Sequence, residues 1–468
     1  MEIDTLMEVE TLIDAVGGVL IGAKSENFCF SSVSIDSREC VKKSLFVPLI
    51  GKVQNGHIYI KQALQNGASV VFVAKSELVE KKPEFENLSK EFNATFIAVE
   101  NTMTALQNAA KRYVEQFPSL IKIGVTGSSG KTTTKEIIAS VLSQKFSVIT
   151  NAGNLNSETG LPLSVFKIKP EHEVGIFEMG MNRRGEIFEI ASVLFPSIAV
   201  ITNIGTAHIG ILGTQDAIAE EKKNIFSNFN EHCVGFVPEK DKYTSFLQQV
   251  PKGRIKTYGI KSNKLIKSVF SSGLDGTVFE YNGVFIKFPV PGKHNFLNAL
   301  AAISIAEYLH LSAQEIKKGL ESVKPIFGRS QIYRGTKTLV HDCYNANPDS
   351  MENAITFCDD LEWKGKKIYV LGDMLELGEK SNLLHSELGI RVAKSKVDYT
   401  LFFGNEMKFA YDSCKNKKKC FYSDNILEIS EELQSSVCNG DLVLLKASKG
   451  MALWRVAEAL DIKLGGCE

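Results

Sequence analysis

The 468-residue chain has no Cys-x-x-Cys pair and no excess of either charge sign. It also has no apolar run approaching the roughly 18 residues that a membrane span needs. The first absence, together with an odd total of nine cysteines, argues against a zinc site or a disulfide framework and for reduced thiols in the cytoplasm. The second follows from 54 Lys and Arg against 54 Asp and Glu, and gives no electrostatic reason to expect nucleic acid or a membrane surface as partner. The third speaks against a membrane-spanning helix. The N-terminus lacks the basic flank and apolar core of a signal peptide and carries Glu2, Asp4, Glu8 and Glu10 instead. The lysine run from Lys415 to Lys419 reads as a solvated loop. No internal repeat or low-complexity tract appears. What remains, with 44% apolar residues, is an ordinary globular protein of about three domains.

The densest chemical signal is Thr126-Gly-Ser-Ser-Gly-Lys-Thr-Thr133. An apolar run, Leu120 to Val125, reads as a buried strand that turns into this glycine-rich loop and then into a helix. Backbone N–H groups of Gly127, Ser128, Ser129 and Gly130 can face an anion, the helix start adds its positive end, and Lys131 adds a charge. The Thr132 hydroxyl can ligate Mg²⁺. Together these predict a nucleoside triphosphate site. The usual spacing puts a glycine five residues before Gly130, where this chain has Val125, so the loop is a shorter variant.

Three α/β segments follow from the patterning. Residues 1–102 hold a helix over Leu6 to Ala15, strands near Leu45, Val70 and Phe96, and a helix from His57 to Gln65. Residues 103–326 open with a helix capped by Thr102 and running to about Gln116. They continue with the phosphate loop and the parallel strands Val174 to Glu178 and Ile198 to Thr202. Antiparallel hairpins are expected between Ile266 and Val290, around Gly273-Leu-Asp-Gly276 and Asn282-Gly283, and helices from Asn295 and Ala313 close this part. Residues 327–468 alternate four strands with helices that include Met451 to Leu460, predicting a Rossmann-like, doubly wound sheet without Gly-x-Gly-x-x-Gly. The fold class is therefore α/β, with a small first domain, a central ATPase-like parallel sheet with an antiparallel addition, and a doubly wound third domain.

Around the loop, Glu178 ends a parallel strand and is placed to bind Mg²⁺. Asn203 and His208 follow the next strand on the same rim. A histidine in a glycine-flanked loop reads first as a hydrogen-bonding residue; Glu178 and Thr132 nearby tip it toward a ligand. Lys222 shares a helical face with Ile218 and Ile225, and by spacing alone it is a lysine that snorkels.

The order of motifs resembles the Mur ligase family of ATP-dependent amide-forming enzymes. It has the Thr-Gly-Ser-Ser-Gly-Lys-Thr loop, a strand ending in Glu178, the Asn203-to-His208 loop and a helix bearing Lys222. The stretch Tyr344-Asn345-Ala-Asn347-Pro-Asp-Ser-Met351 replaces the Asp-Asn-Pro-Arg expected of members that add the third peptide residue. Asp36-Ser37-Arg38, Pro291-Gly-Lys-His294-Asn295, Gly372-Asp373-Met-Leu-Glu376-Leu-Gly378 and His385 extend the likeness over essentially the whole chain.

The resemblance implies substrates UDP-N-acetylmuramoyl-tripeptide and D-Ala-D-Ala, ATP, two Mg²⁺ ions, a cytoplasmic monomer, and closure of the domains before chemistry. It implies that Lys131, Glu178, His208, Lys222 and Arg329 are catalytic, with Lys222 carbamylated and ligating metal beside Thr132, Glu178 and His208. Gly127 to Thr133, Asn295, Asn298, Arg329 and Asp342 would hold ATP. Ser37 and Arg38 would lie against UDP, and Asn154, Asn156, Thr159 and Pro162 would line the muramoyl-peptide cleft. Asn345, Asn347, Lys446 and Ser448 would receive the dipeptide. Two positions depart from the family pattern: Asn224 stands where Glu is usual, and Lys449 where Arg is expected. One alternative is another Mur-type or a folylpolyglutamate-type amide ligase, which shares the centre but not the Tyr344-to-Pro348 stretch or this N-terminal domain; a kinase or GTPase is another, but no guanine-reading Asn-Lys-x-Asp occurs. A non-catalytic module with a degenerate nucleotide site is a third reading, opposed by the full set of polar residues just named.

Overall fold

A computed structural model describes residues 5–22, 29–416, 418–462 and 464; Glu2, Asp4 and Lys417 lie outside them. The chain divides into two compact units.

The first unit comprises residues 1–124, 147–181 and 185–197. Its five-stranded sheet runs Val19–Ile21, Thr95–Val99, Ala68–Ala74, Ser44–Phe46, Ser32–Ser34, parallel except for the antiparallel edge strand Val19–Ile21. Ala68–Ala74 is buried at every position, as a central parallel strand covered on both faces must be. The first helix is Val9–Val16, stopped by Gly17 in the left-handed conformation. The expected helix from His57 begins as a 3-10 turn, Gly56–Tyr59, before the α-helix Ile60–Gln65. Helix Thr102–Val114 is capped by Asn101, whose side chain accepts from Thr104 N–H. Thr102 does not cap it; its hydroxyl donates to the Pro48 carbonyl. A long polar helix, Lys75–Phe92, carries Pro83 in its interior and has too weak an apolar face to be read from periodicity. This unit also holds the parallel pair Val148–Thr150 and Val174–Glu178.

The second unit comprises residues 125–146, 182–184 and 198–468. Strands Ile198–Ile201, Val234–Pro238 and Arg254–Tyr258 are parallel neighbours. The two hairpins form as expected: Ile266–Ser271, Thr277–Tyr281 and Val284–Phe288 make an antiparallel sheet. Helix Lys293–Tyr308 packs on helix Lys131–Leu142, which follows the phosphate loop. The remainder is a six-stranded sheet in the order Gln331–Arg334, Thr338–Asp342, Leu442–Lys446, Lys367–Gly372, Tyr399–Phe403, Cys420–Ser423. Only the first of these strands is antiparallel. The two edge strands and helix Met407–Cys414 are additions to the four-strand reading. The last helical stretch, expected over Met451 to Leu460, is 3-10 in character, as Lys449–Met451 and Leu453–Leu460.

Candidate functional site

The phosphate loop lies between strand Ile121–Thr126 and helix Lys131–Leu142, and its shape is set from one side by Thr202 and Asn203. Thr202 Oγ1 donates to the Ser129 carbonyl at 2.6 Å. Asn203 pairs with the Ser129 peptide in both directions: Ser129 N–H donates to Oδ1 at 3.0 Å, and Nδ2 donates to the Ser129 carbonyl at 3.1 Å. Ser128 Oγ accepts from Gly205 N–H at 2.8 Å. Gly127 is obligatory here, since a Cβ would stand 1.8 Å from Thr202 Oγ1 and its φ is +151°. Asn298 is buried against the loop at Gly130 and donates to Asn295 Oδ1 at 3.3 Å, while the Asn295 amide donates to the Pro291 carbonyl. Lys131 Nζ folds back on the Gly127 carbonyl at 3.0 Å.

Arg329 reaches this loop from 197 residues away: its Nη2 donates to Thr132 Oγ1 at 2.8 Å. Its guanidinium lies 4.1 Å from the centroid of the Tyr344 ring, and Lys449 approaches the same ring at 5.3 Å. Tyr344 therefore gives the motif at 344–351 a role that the sequence did not assign: a π-face under the arginine.

His208 and Lys222 belong to the same electrostatic neighbourhood. His208 Nδ1 stands 3.2 Å from Glu376 Oε2. Burial pulls the imidazole below the ordinary histidine range; Glu376 opposes this, and Lys131 and Lys222 add to it. Lys222 is buried in helix Gln215–Lys223 with Ile218, and Ile225 is buried in the turn that follows, so the expected apolar face is real.

In the first unit, Glu178 is held in place by two asparagines. Asn156 Nδ2 donates to its carboxylate at 2.7 Å, and Asn151 bonds its backbone N–H and carbonyl. Asn154 leads into this turn, and its carbonyl accepts from Asn156 N–H. Thr159 and Pro162 enter helix Gly160–Val165, with the Thr159 hydroxyl 3.7 Å from Met103 Sδ. Ser37 is buried and donates to Gln62, whereas the exposed Arg38 forks onto Asp36 and holds that carboxyl down at about 2.

The residues expected to receive a dipeptide have protein partners. Lys446 directs its ammonium to Asp342 Oδ2 at 2.8 Å, the Asn345 carbonyl at 2.9 Å and the Asp342 carbonyl at 3.4 Å. Asp342, expected at the nucleotide, thus pairs with the buried Lys446 while itself half-buried. The Asn345 side chain accepts from the Ala346 N–H. Ser448 Oγ accepts from Leu375 N–H. Asn347 caps helix Pro348–Asp360 in a capping box with Ser350 and donates to Ser129 Oγ at 3.1 Å. Thr202, Tyr344 and Glu376 are neighbours of the site to which the sequence assigns no role; their partners Ser129, Arg329 and His208 are distant in the chain or outside any local spacing.

Comparison with known proteins gives a consistent result. The family model described as Mur ligase family, catalytic domain, matches residues 30–114; Mur ligase middle domain matches 125–306; and Mur ligase, glutamate ligase domain, matches 328–449. A protein of Treponema pallidum named UDP-N-acetylmuramoyl-tripeptide--D-alanyl-D-alanine ligase is 45% identical over 92% of this chain and 94% of its own. The Bacillus subtilis protein of the same name is 34% identical over 97% and 98%. The crystal structure of MurF from Acinetobacter baumannii superposes with a TM-score of 0.88 at 26% identity, covering 99% of this chain and all of that one. MurF from Thermotoga maritima, in complex with ADP, gives 0.78 at 29% identity, over 92% and 97%. With three family models in succession and relatives alike from end to end, this chain belongs to the Mur ligase family.

Proposed function

We propose that this chain is the ATP-dependent ligase that joins D-Ala-D-Ala to UDP-N-acetylmuramoyl-tripeptide in peptidoglycan precursor synthesis. The observation that carries the reading is the Arg329 guanidinium on the Thr132 hydroxyl, a fixed cation brought to a phosphate loop by a distant segment. Relatives named for this reaction resemble the chain along nearly its whole length.

A carboxylate does not react with an amine near neutral pH, because its oxygen is a poor leaving group. The tripeptide carboxylate attacks the γ-phosphorus of ATP, the bond from that phosphorus to the β–γ bridging oxygen breaks, and ADP leaves. The dipeptide amine then attacks the acyl phosphate carbon, the bond to the phosphate oxygen breaks, and a proton leaves the nitrogen. Lys131 and Arg329 neutralise charge on the transferring group, and the backbone N–H groups of Gly127 to Lys131 cradle the remaining phosphates.

Thr132, Glu178, His208 and Lys222, the last as a carbamate, would hold two Mg²⁺ ions. Their donor types fit: hydroxyl, carboxylate and imidazole suit a hard or borderline cation. Lys222 is buried, and a carbamate there would turn a cation into an anionic oxygen ligand. When bound, the metal supplies charge neutralisation for the moving phosphoryl group.

The substrate residues Ser37, Arg38, Asn154, Asn156, Thr159 and Pro162, the dipeptide residues Asn345, Asn347, Lys446 and Ser448, and the division into 1–102, 103–326 and 327–468 belong to the same proposal. So do a monomeric state and a cytoplasmic setting. Among the described residues no helix is long and apolar enough to cross a membrane, and each described cysteine is a free thiol. The test is incubation with ATP, Mg²⁺, UDP-N-acetylmuramoyl-tripeptide and D-Ala-D-Ala, following phosphate and product mass together. Phosphate release that requires both substrates and yields the pentapeptide is expected. Release without that product would move the substrates, and no turnover with any pairing would overturn the enzyme reading.

A further inference from the structure

The loop 205–213, which carries His208, is gripped along its length by residues from the family's third segment. At its start, Asp349 Oδ2 accepts twice from Thr206, from the backbone N–H at 2.6 Å and from the hydroxyl at 2.7 Å. In the middle, Glu376 faces His208. Gly210 meets Gly378 so closely that a Cβ on Gly210 would stand 2.5 Å from the Gly378 nitrogen. At the end, Lys380 Nζ donates to the Gly213 carbonyl at 2.8 Å. His208 itself has φ +63°, a conformation that costs a non-glycine residue free energy and persists only where the surroundings impose it.

Asp349 is well prepared for this task. It lies in the first turn of helix Pro348–Asp360, where a carboxylate is favoured by the helix dipole. The preceding cap, Asn347, is tied to Ser129 of the phosphate loop. One helix end thus touches both the phosphate loop and the His208 loop. Gly205 completes the fit, because a Cβ there would stand 2.4 Å from Asp349 Oδ2.

We infer that Asp349 is a positioning residue: through Thr206 it sets the loop that presents His208, so His208 is in place only while the helix Pro348–Asp360 is docked on the phosphate loop. The kinetic consequence rests on the ligase reading above; the structural consequence does not. Two hydrogen bonds to a carboxylate set the scale of a roughly tenfold to hundredfold loss in kcat on removal.

The experiment pairs hydrogen exchange with steady-state kinetics on the full chain. In Asp349→Ala, amides of 204–212 are expected to exchange at least tenfold faster, while strand Lys367–Gly372 keeps its protection. kcat should fall roughly tenfold or more with KM for ATP within a factor of about three, since the loss is in loop placement and not in nucleotide binding. Asp349→Asn, which keeps an acceptor oxygen, should recover most of both. Thr206→Val, which removes the hydroxyl but keeps the backbone N–H, should give part of the kinetic loss, and the double variant should be no worse than Asp349→Ala. Unchanged exchange over 204–212 in Asp349→Ala would overturn the inference whatever the activity. Faster exchange with kcat within twofold of the parent would overturn it as a matter of catalysis. Exchange that rises equally in Lys367–Gly372 would make Asp349 a general stability residue and overturn it too. A parent enzyme that forms no pentapeptide would defeat the ligase reading while leaving the exchange result standing.

Discussion

His208 and Glu376 face each other at 3.2 Å, and both hold left-handed backbone, at φ +63° and +66°. Two strained non-glycine residues in contact are a sign of a geometry imposed from outside each loop, because neither segment adopts it unaided. Glu376 is placed by its own supports: Met374 N–H donates to the buried His385 Nε2, Leu375 N–H donates to Ser448, and Asp373 accepts from Met407 N–H. His385 and Ser448 thus act on the site through backbone shape.

Arg329→Ala is expected to lower kcat by roughly a hundredfold to a thousandfold, as loss of a cation on a transferring phosphoryl group does. Arg329→Lys should recover little, because a lysine cannot both donate to Thr132 and lie flat on Tyr344. Calorimetric titration with an ATP analogue should show binding within several-fold of the parent, separating catalysis from affinity.

Lys222→Ala should cost about a thousandfold in rate, the scale of losing a metal-bridged charge. With ¹³C-labelled bicarbonate, the parent should show a carbamate resonance that the variant lacks. A variant with full activity would end the carbamate proposal.

Lys446→Ala is expected to unfold the third segment at lower urea, by about 1–3 kcal/mol, because it takes a buried ammonium from Asp342 and from the Asn345 carbonyl, while Asp342 keeps the Ser330 N–H. Replacing both partners by Met and Leu should restore much of that loss. A Lys446→Ala protein as stable as the parent, with only the KM for D-Ala-D-Ala raised, would return the lysine to a purely substrate-binding role.

His341 gives a pH dependence. It is fully buried, edge-on to Phe327, with no hydrogen-bond partner for either ring nitrogen among the described residues. Burial holds it down at about 4, against 6.5 for the free residue. Between those values the unfolded chain binds a proton that the folded one does not, so stability falls as pH drops from about 7 toward 4, by up to roughly 3 kcal/mol from this site. Urea midpoints at pH 7 and pH 5 should differ less in His341→Phe than in the parent.

Gly127→Ala should abolish ATP-analogue binding while far-ultraviolet circular dichroism stays unchanged, since the clash with Thr202 is confined to the loop.

Much of this was legible in the residues. The loop from Gly127 to Thr133, the strand ending at Glu178 and the apolar face of the Lys222 helix depend on neighbours a few positions away, and they form as expected. The polar helix Lys75–Phe92, the short edge strands Gln331–Arg334 and Cys420–Ser423, and helix Met407–Cys414 were not read, because their periodicity is weak or brief. Lys446 and Asn347, expected at a dipeptide, have Asp342 and Ser129 as partners, 104 and 218 residues away.

The sequence by itself determined the α/β class, the phosphate loop and the family, because these rest on local order: apolar periodicity, turn glycines and motifs in succession. Only the tertiary structure decided which side chains meet. Arg329 on Thr132, Asp349 on Thr206 and Glu376 against His208 each join segments more than a hundred residues apart. No local propensity encodes such a pairing; it exists once sheets and helices have packed and brought those loops to one edge.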